Sequence, residues 1–229
     1  MPEIVSLSLP TADLLWEHLA LGRLPAPFEI RSVGATESER AGLRAEMWSD
    51  LTSRGLATAG RLEKRIADLL AVLARFESAI TSLSVLDDGR LMRSIAATDG
   101  RRAVLAVQGV RNLHVAGIEP GELAVSIVDL LPAAHPFPGR PVTIQDSDDD
   151  KATPMLASPR RRAGYFIAKV RVGTHTSSEL AWVDTDLGRF SSRYVRDPTG
   201  ARCTAHTHVG RDELVAQLTQ LLAKLTTNR

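Results

Sequence analysis

The residues best suited to chemistry are few and dispersed. Cys203, His206 and His208 are metal-ligand types within one short stretch. On a strand, however, Cys203 points with Ala205 and Thr207, and the two histidines point the other way with Thr204. Only the histidines can share an ion, with His175 from a neighbouring loop as the one further candidate. A zinc site takes four protein ligands, or three plus water, and no metal is expected here. Asp146, Ser147, Asp148, Asp149 and Asp150 have the composition of a calcium loop. An EF-hand loop needs glycine at its sixth position and glutamate at its twelfth, and Lys151 and Ala157 stand there instead. A solvated acidic loop is expected. Asp184 follows apolar Trp182 and Val183, and is expected to hydrogen-bond the adjoining hairpin turn as an Asx residue. There is no Gly-x-Ser-x-Gly elbow, no Gly-x-Gly-x-x-Gly and no phosphate-cradling loop. These residues indicate neither an enzyme nor a cofactor.

Composition narrows the classes further. The chain has 229 residues, a net charge of +1 and a single cysteine. A chain of this size buries roughly 70% of its unfolded surface, so it needs no disulfide framework. Lone cysteine usage fits a reducing cytoplasm. A near-neutral chain is a poor match for nucleic acid, whose specific binders neutralise several phosphates. The densest basic run, Arg160, Arg161 and Arg162, has no interleaved aromatic and reads as a solvated loop. The start of the sequence lacks a basic and an apolar region of signal-peptide type. No apolar run approaches the about 20 residues that span a membrane.

What remains is the frame. Val5, Leu7 and Leu9 alternate with serines as a short strand, and Thr11 is placed to cap a helix from Ala12 to about Leu21. Thr36 and Glu39 form a capping box for a second helix that Gly55 stops. Leu62, Ile66, Leu69, Leu70, Leu73 and Phe76 mark a third, expected to pair with the second as a helical hairpin. From Ala79 the period switches to two. Asp88-Gly89 and Asp99-Gly100 are hairpin turns, because glycine adopts positive φ at little cost.

A β-β-β-α pattern then occurs twice, over about 91–131 and about 179–222. Its turns read Thr98-Asp99-Gly100-Arg101 and Thr185-Asp186-Leu187-Gly188-Arg189. Its helices align without gaps, Leu123 with Leu214 and Ile127 with Leu218. The expected fold is α+β: a central, mainly antiparallel sheet with a quasi-two-fold repeat, flanked by helical bundles. It forms one domain with an N-terminal half (1–132), an acidic, Pro-rich connector (133–163) and a C-terminal half (164–229).

Several stretches resemble the EspG family, cytosolic chaperones of actinobacterial type VII (ESX) secretion. They are Val5 to Pro10 with Leu15-Trp16-Glu17-His18-Leu19, Gly34 to Glu46, Arg54-Gly55-Leu56 and Arg102 to Val107, then Trp182 to Thr185 with Gly188-Arg189-Phe190. The resemblance covers nearly the whole chain through several weak motifs. It implies a non-catalytic protein that binds the PPE tip of a PE–PPE heterodimer, keeps it soluble and targets it for export. By position it implies contacts at the hairpin tip, Leu86, Asp87, Asp88, Gly89, Arg90, Leu91 and Met92. Arg160, Arg161, Arg162, Tyr165 and Lys169 are expected anchors beside it. No nucleic acid, membrane or cofactor is implied. Family members often carry extra helices between the repeats, and here that span looks short and unstructured. The rival readings are a homodimeric interaction module and an enzyme using the histidines of the last strands.

Overall fold

A computed structural model describes residues 3–145, 154–172 and 174–227. The acidic run Asp146 to Asp150, with its calcium reading, lies outside them, as does the side chain of His175.

One ten-stranded antiparallel sheet organises the chain. Its first half holds β1 (Ile4–Ser8), β4 (Ser78–Val85), β5 (Leu91–Thr98), β6 (Ala103–Gln108) and β7 (Asn112–Ile118). Its second half holds β8 (Val142–Gln145), β9 (Arg160–Val172), β10 (Thr174–Thr185), β11 (Gly188–Arg196) and β12 (Arg202–His208). The order is β1-β7-β6-β5-β4-β9-β10-β11-β12-β8. Outward from the central β4–β9 pair, both halves meet their strands in the same sequence. The repeat is therefore real, and longer than the expected 91–131 and 179–222: β1 and β8 open the two copies. The expected connector likewise contains β8 and the start of β9, where Arg160–Arg162 belong to the sheet and not to a loop. Equivalent turns close equivalent hairpins. Thr98 Oγ1 accepts from Gly100 N at 3.0 Å and donates to Arg102 O at 2.8 Å. Thr185 Oγ1 accepts from Leu187 N at 3.1 Å and donates to Gly188 O at 3.1 Å.

The helices divide between the two faces. On one side, α1 (Leu9–His18), α2 (Glu37–Ser53) and α3 (Lys64–Arg75) belong to the core over Ile95, Val104, Leu113 and Val115. On the other, α4 (Leu123–Val128) and α6 (Arg211–Thr227) cover Ala96, Phe166, Leu180 and Trp182. Three local expectations change. Ser8, not Thr11, caps α1: its Oγ accepts from Thr11 N at 3.1 Å, and Pro10 sits in the first turn where no amide is needed. A small two-stranded ribbon, β2 (Ala57–Thr58) with β3 (Arg61–Leu62), separates α2 from α3. Finally, α3 packs on β5, β6 and β7 instead of forming a hairpin with α2.

The capping box at α2 is present. Thr36 Oγ1 accepts from Glu39 N at 3.2 Å, and Glu39 Oε2 accepts from Ala35 N at 2.7 Å and Thr36 N at 3.3 Å. Thr36→Ala is expected to lower unfolding free energy by about 1 kcal/mol, measured by denaturant titration.

The halves differ in how they are covered. Over the second half, on the face that carries α1–α3 in the first, the one helix among the described residues is the four-residue α5 (Pro154–Ala157), seated with Met155 on Phe137 and Phe190. Tyr165 and Tyr194 on that face are 40% and 62% exposed.

Candidate protein-binding surface

One end of the sheet gathers exposed apolar side chains. The β4–β5 turn, the β6–β7 turn and the β10–β11 turn all lie there, because the strands run alternately up and down. Four of the seven large apolar side chains exposed among the described residues, Val85, Leu91, Val110 and Leu187, sit at this end. Scattered singly they would mean little; sharing one end of the sheet, they make it the candidate interaction surface.

The hairpin tip is tightly built. Leu86 N donates to Arg90 O at 3.0 Å and Gly89 N to Leu86 O at 2.9 Å, with Gly89 at φ 74°. Asp88 accepts from Arg90 N at 3.0 Å and pairs with the Arg90 guanidinium. The Arg90 amide first, and its side chain second, hold the Asp88 carboxyl below the usual carboxylate range. Leu86, Arg90, Leu91 and Met92 line one side of a depression of about 560 Å³, and Val110, 79% exposed, lines the other. Met92 also packs against the α4–α6 core, so it belongs to both.

A strap over residues 23–33 forms the third wall. Gln108 fastens it in both directions: its Oε1 accepts from Glu29 N at 2.9 Å and its Nε2 donates to Glu29 O at 2.8 Å. Arg93 adds an ion pair to Glu29 at 2.6 Å. Asp13 Oδ2 takes Val33 N at 3.0 Å. Val110 and the strap are missing from the sequence reading. An apolar residue inside the turn Gly109-Val110-Arg111-Asn112 is the signal for the first. Nothing local signals a clamp between residues 79 positions apart.

The basic run is committed elsewhere. Arg161 pairs with Asp186 of the β10–β11 turn. Arg162 Nε lies 3.3 Å from Asp87 of the tip and 3.4 Å from Asp184. Asp184 is not the turn residue expected of it; Thr185 serves the turn, as described above. Asp184 is buried and bidentate with buried Arg189, Oδ1 to Nε at 2.6 Å and Oδ2 to Nη2 at 2.9 Å. Arg189 also donates to Pro132 O at 2.8 Å and stacks over Trp182, with its Cζ 5.0 Å from a ring centroid. Arg162, Asp184 and Arg189 are cross-strand neighbours on β9, β10 and β11. This row ties the tip to the second half of the sheet.

Tyr165 and Lys169 lie on the open face, away from the tip depression. Lys169 lines two adjoining hollows under the strap, of about 800 and 310 Å³; Tyr165 lines the smaller.

The metal-type residues separate as strand alternation requires. Cys203 is buried on one face. His206 and His208 lie on the other, against Phe190 and Phe137. Among the described residues no three His, Cys, Asp or Glu side chains converge to hold an ion. His206 Nδ1 is 2.8 Å from Ser192 Oγ, and burial pushes the imidazole pKa down. The unfolded chain therefore binds this proton more readily, so the stability that neutral His206 contributes is full above about pH 6.5 and lost as pH falls through its folded value. The melting temperature is expected to drop between pH 7.5 and pH 5, and to drop less in His206→Gln; equal drops would remove the assignment.

Comparison with known proteins places the chain. The EspG family matches residues 8–220. Among curated proteins none matches. Among solved structures, the type VII secretion chaperone EspG5 of Mycobacterium tuberculosis, in complex with a PE25–PPE41 dimer, shares the fold. The TM-score is 0.76 at 12% identity, with 96% of each chain covered. The family match runs from the end of β1 into α6 and so takes in both copies of the repeat apart from most of β1. The chain is a member of the EspG family.

Proposed function

We propose that this protein is a cytosolic, non-catalytic chaperone of type VII secretion, acting as a single EspG-like domain on PE–PPE-type heterodimers. The observation that carries the reading is the apolar sheet end of Leu91, Met92 and Val110, held by paired strands in a protein of this family. A PPE tip is a helical end with apolar side chains, which aggregates when left in water. Docked against this rim it loses that exposure, and a specific complex buries above about 1,000 Å² in total. Arg90 and the Asp88 carboxylate give the rim polar partners that orient the client. Arg161 and Arg162 act indirectly, by holding the two turns that frame the end.

The test is co-expression with the PE–PPE pair encoded nearest to this gene. Co-elution of all three chains in equal amounts on size exclusion is expected. Separate elution with the client aggregated, across several PE–PPE pairs, would contradict it.

A further inference from the structure

The long sheet ends in two edge strands, β1 and β8, and an exposed edge is a template for pairing with another chain. The two edges are closed by different means. β8 has four residues and follows Pro141, so it offers little backbone to pair with. β1 has five residues and no proline, and Ile4 at its start is 62% exposed. Leu9 N donates to Arg111 O at 2.9 Å at the end of the β1–β7 ladder. Bonding alternates along an antiparallel pair, so Val5 and Leu7 also bond inward to β7, and the backbone groups of Ile4, Ser6 and Ser8 point outward. Ser8 is taken up in capping α1. The centre of the edge is therefore Ser6, and Arg54 Nη2 donates to its carbonyl oxygen. Arg54 stands at the C-terminal end of α2, which Gly55 stops at φ 69°, and Asp50 one turn earlier holds the guanidinium at 3.0 Å. Glu46, Asp50 and Arg54 recur every four residues and so share one side of α2. With Ser6 of β1 they line a depression of about 410 Å³.

We propose that Arg54 locks the β1 edge, and that the surface it closes is self-complementary: without the guanidinium, two copies of the chain pair β1 to β1, antiparallel, about Ser6. A hydrogen-bonded antiparallel pair exchanges both the N–H and the C=O of each residue. Arg54 occupies that carbonyl and stands where a second strand would lie. A second copy is the occupant because a strand paired antiparallel with itself is two-fold: each Ser6 serves the other, and Ile4 of each copy meets Ser8 of its partner. This lock goes beyond the client reading and does not depend on it.

Sedimentation velocity on the full chain, with amide exchange read by NMR, tests it. Arg54→Met keeps the stem and removes the donors. It is expected to self-associate at least about tenfold more tightly than the native chain. The Ser6 amide, open to exchange in the native chain, should gain protection in that variant. Adding Ser6→Pro should return sedimentation to that of the native chain, because proline removes the outward N–H, which β7 does not use. Arg54→Ala is the second variant and should associate alike; the Arg54 side chain is 36% exposed, so its loss is expected to leave the fold intact. Native-like sedimentation in both folded Arg54 variants, association that survives Ser6→Pro, or a Ser6 amide already protected in the native chain would each overturn the proposal. No client enters these measurements, so their outcome stands apart from that of the co-expression test.

Discussion

Asp184→Ala is expected to destabilise the protein by about 3–5 kcal/mol, because it leaves Arg189 buried without its counter-ion. At about 2–4 °C per kcal/mol for a chain of this size, the melting temperature should fall by roughly 6–20 °C. The physical cause is desolvation. Two guanidiniums, Arg189 at 2.6 Å and Arg162 at 3.4 Å, share this one carboxylate. Arg162 retains Asp87 of the exposed tip, but Arg189 retains only Pro132 O and the face of Trp182. Arg189→Met should cost less than Asp184→Ala, since Arg162 still faces Asp184. The double variant Asp184→Leu/Arg189→Met should be less destabilised than the sum of its parts, because paired removal leaves no orphan charge. Additive losses in a thermal melt would show that the pair is not coupled.

Val110→Asp should do the opposite, removing affinity while leaving the fold intact. Val110 is 79% exposed on a turn closed by Gly109 N to Asn112 O at 2.8 Å, so its side chain contributes little to packing. Its stability change should stay within about 0.5 kcal/mol. At the centre of a client interface the same change places a charge where an apolar anchor is needed, and a hot-spot loss of at least about 2 kcal/mol is expected, some thirtyfold in Kd. Leu91→Glu across the depression should behave alike. Gln108→Leu should act differently: it frees the strap, so it weakens client binding without touching the rim. Calorimetry on purified protein and client distinguishes these outcomes. Undiminished affinity in both Val110→Asp and Leu91→Glu would move the contact off this end.

Much of the frame is legible in the residues. Period-two alternation and Asp-Gly turns place β4, β5 and β6 closely, and the aligned Leu123/Leu214 helices announce the duplication. Thr98 and Thr185 show why the turn motif recurs: each hydroxyl both accepts and donates across its own turn. The ion-pair row is implicit in the strand pairing. Thr185 opposite Gly188 fixes the register, and that register sets Asp184 opposite Arg189. Composition suggested a solvated basic loop for Arg160–Arg162, whereas pairing on β9 decides their roles. The strap clamp and the open second-half face are tertiary facts. The first joins Glu29 to Gln108 across most of the N-terminal half. The second arises because, on that face and among the described residues, the second copy carries α5 where the first carries three helices.

Hydrogen–deuterium exchange with and without a co-purified PE–PPE heterodimer tests the client surface most directly. Added protection is expected at the amides of residues 86–92 and 109–111, with the outer strands β8 and β12 unchanged. Protection confined to other parts of the sheet, or none at all in a complex that co-elutes, would contradict the claim that this apolar end holds the client.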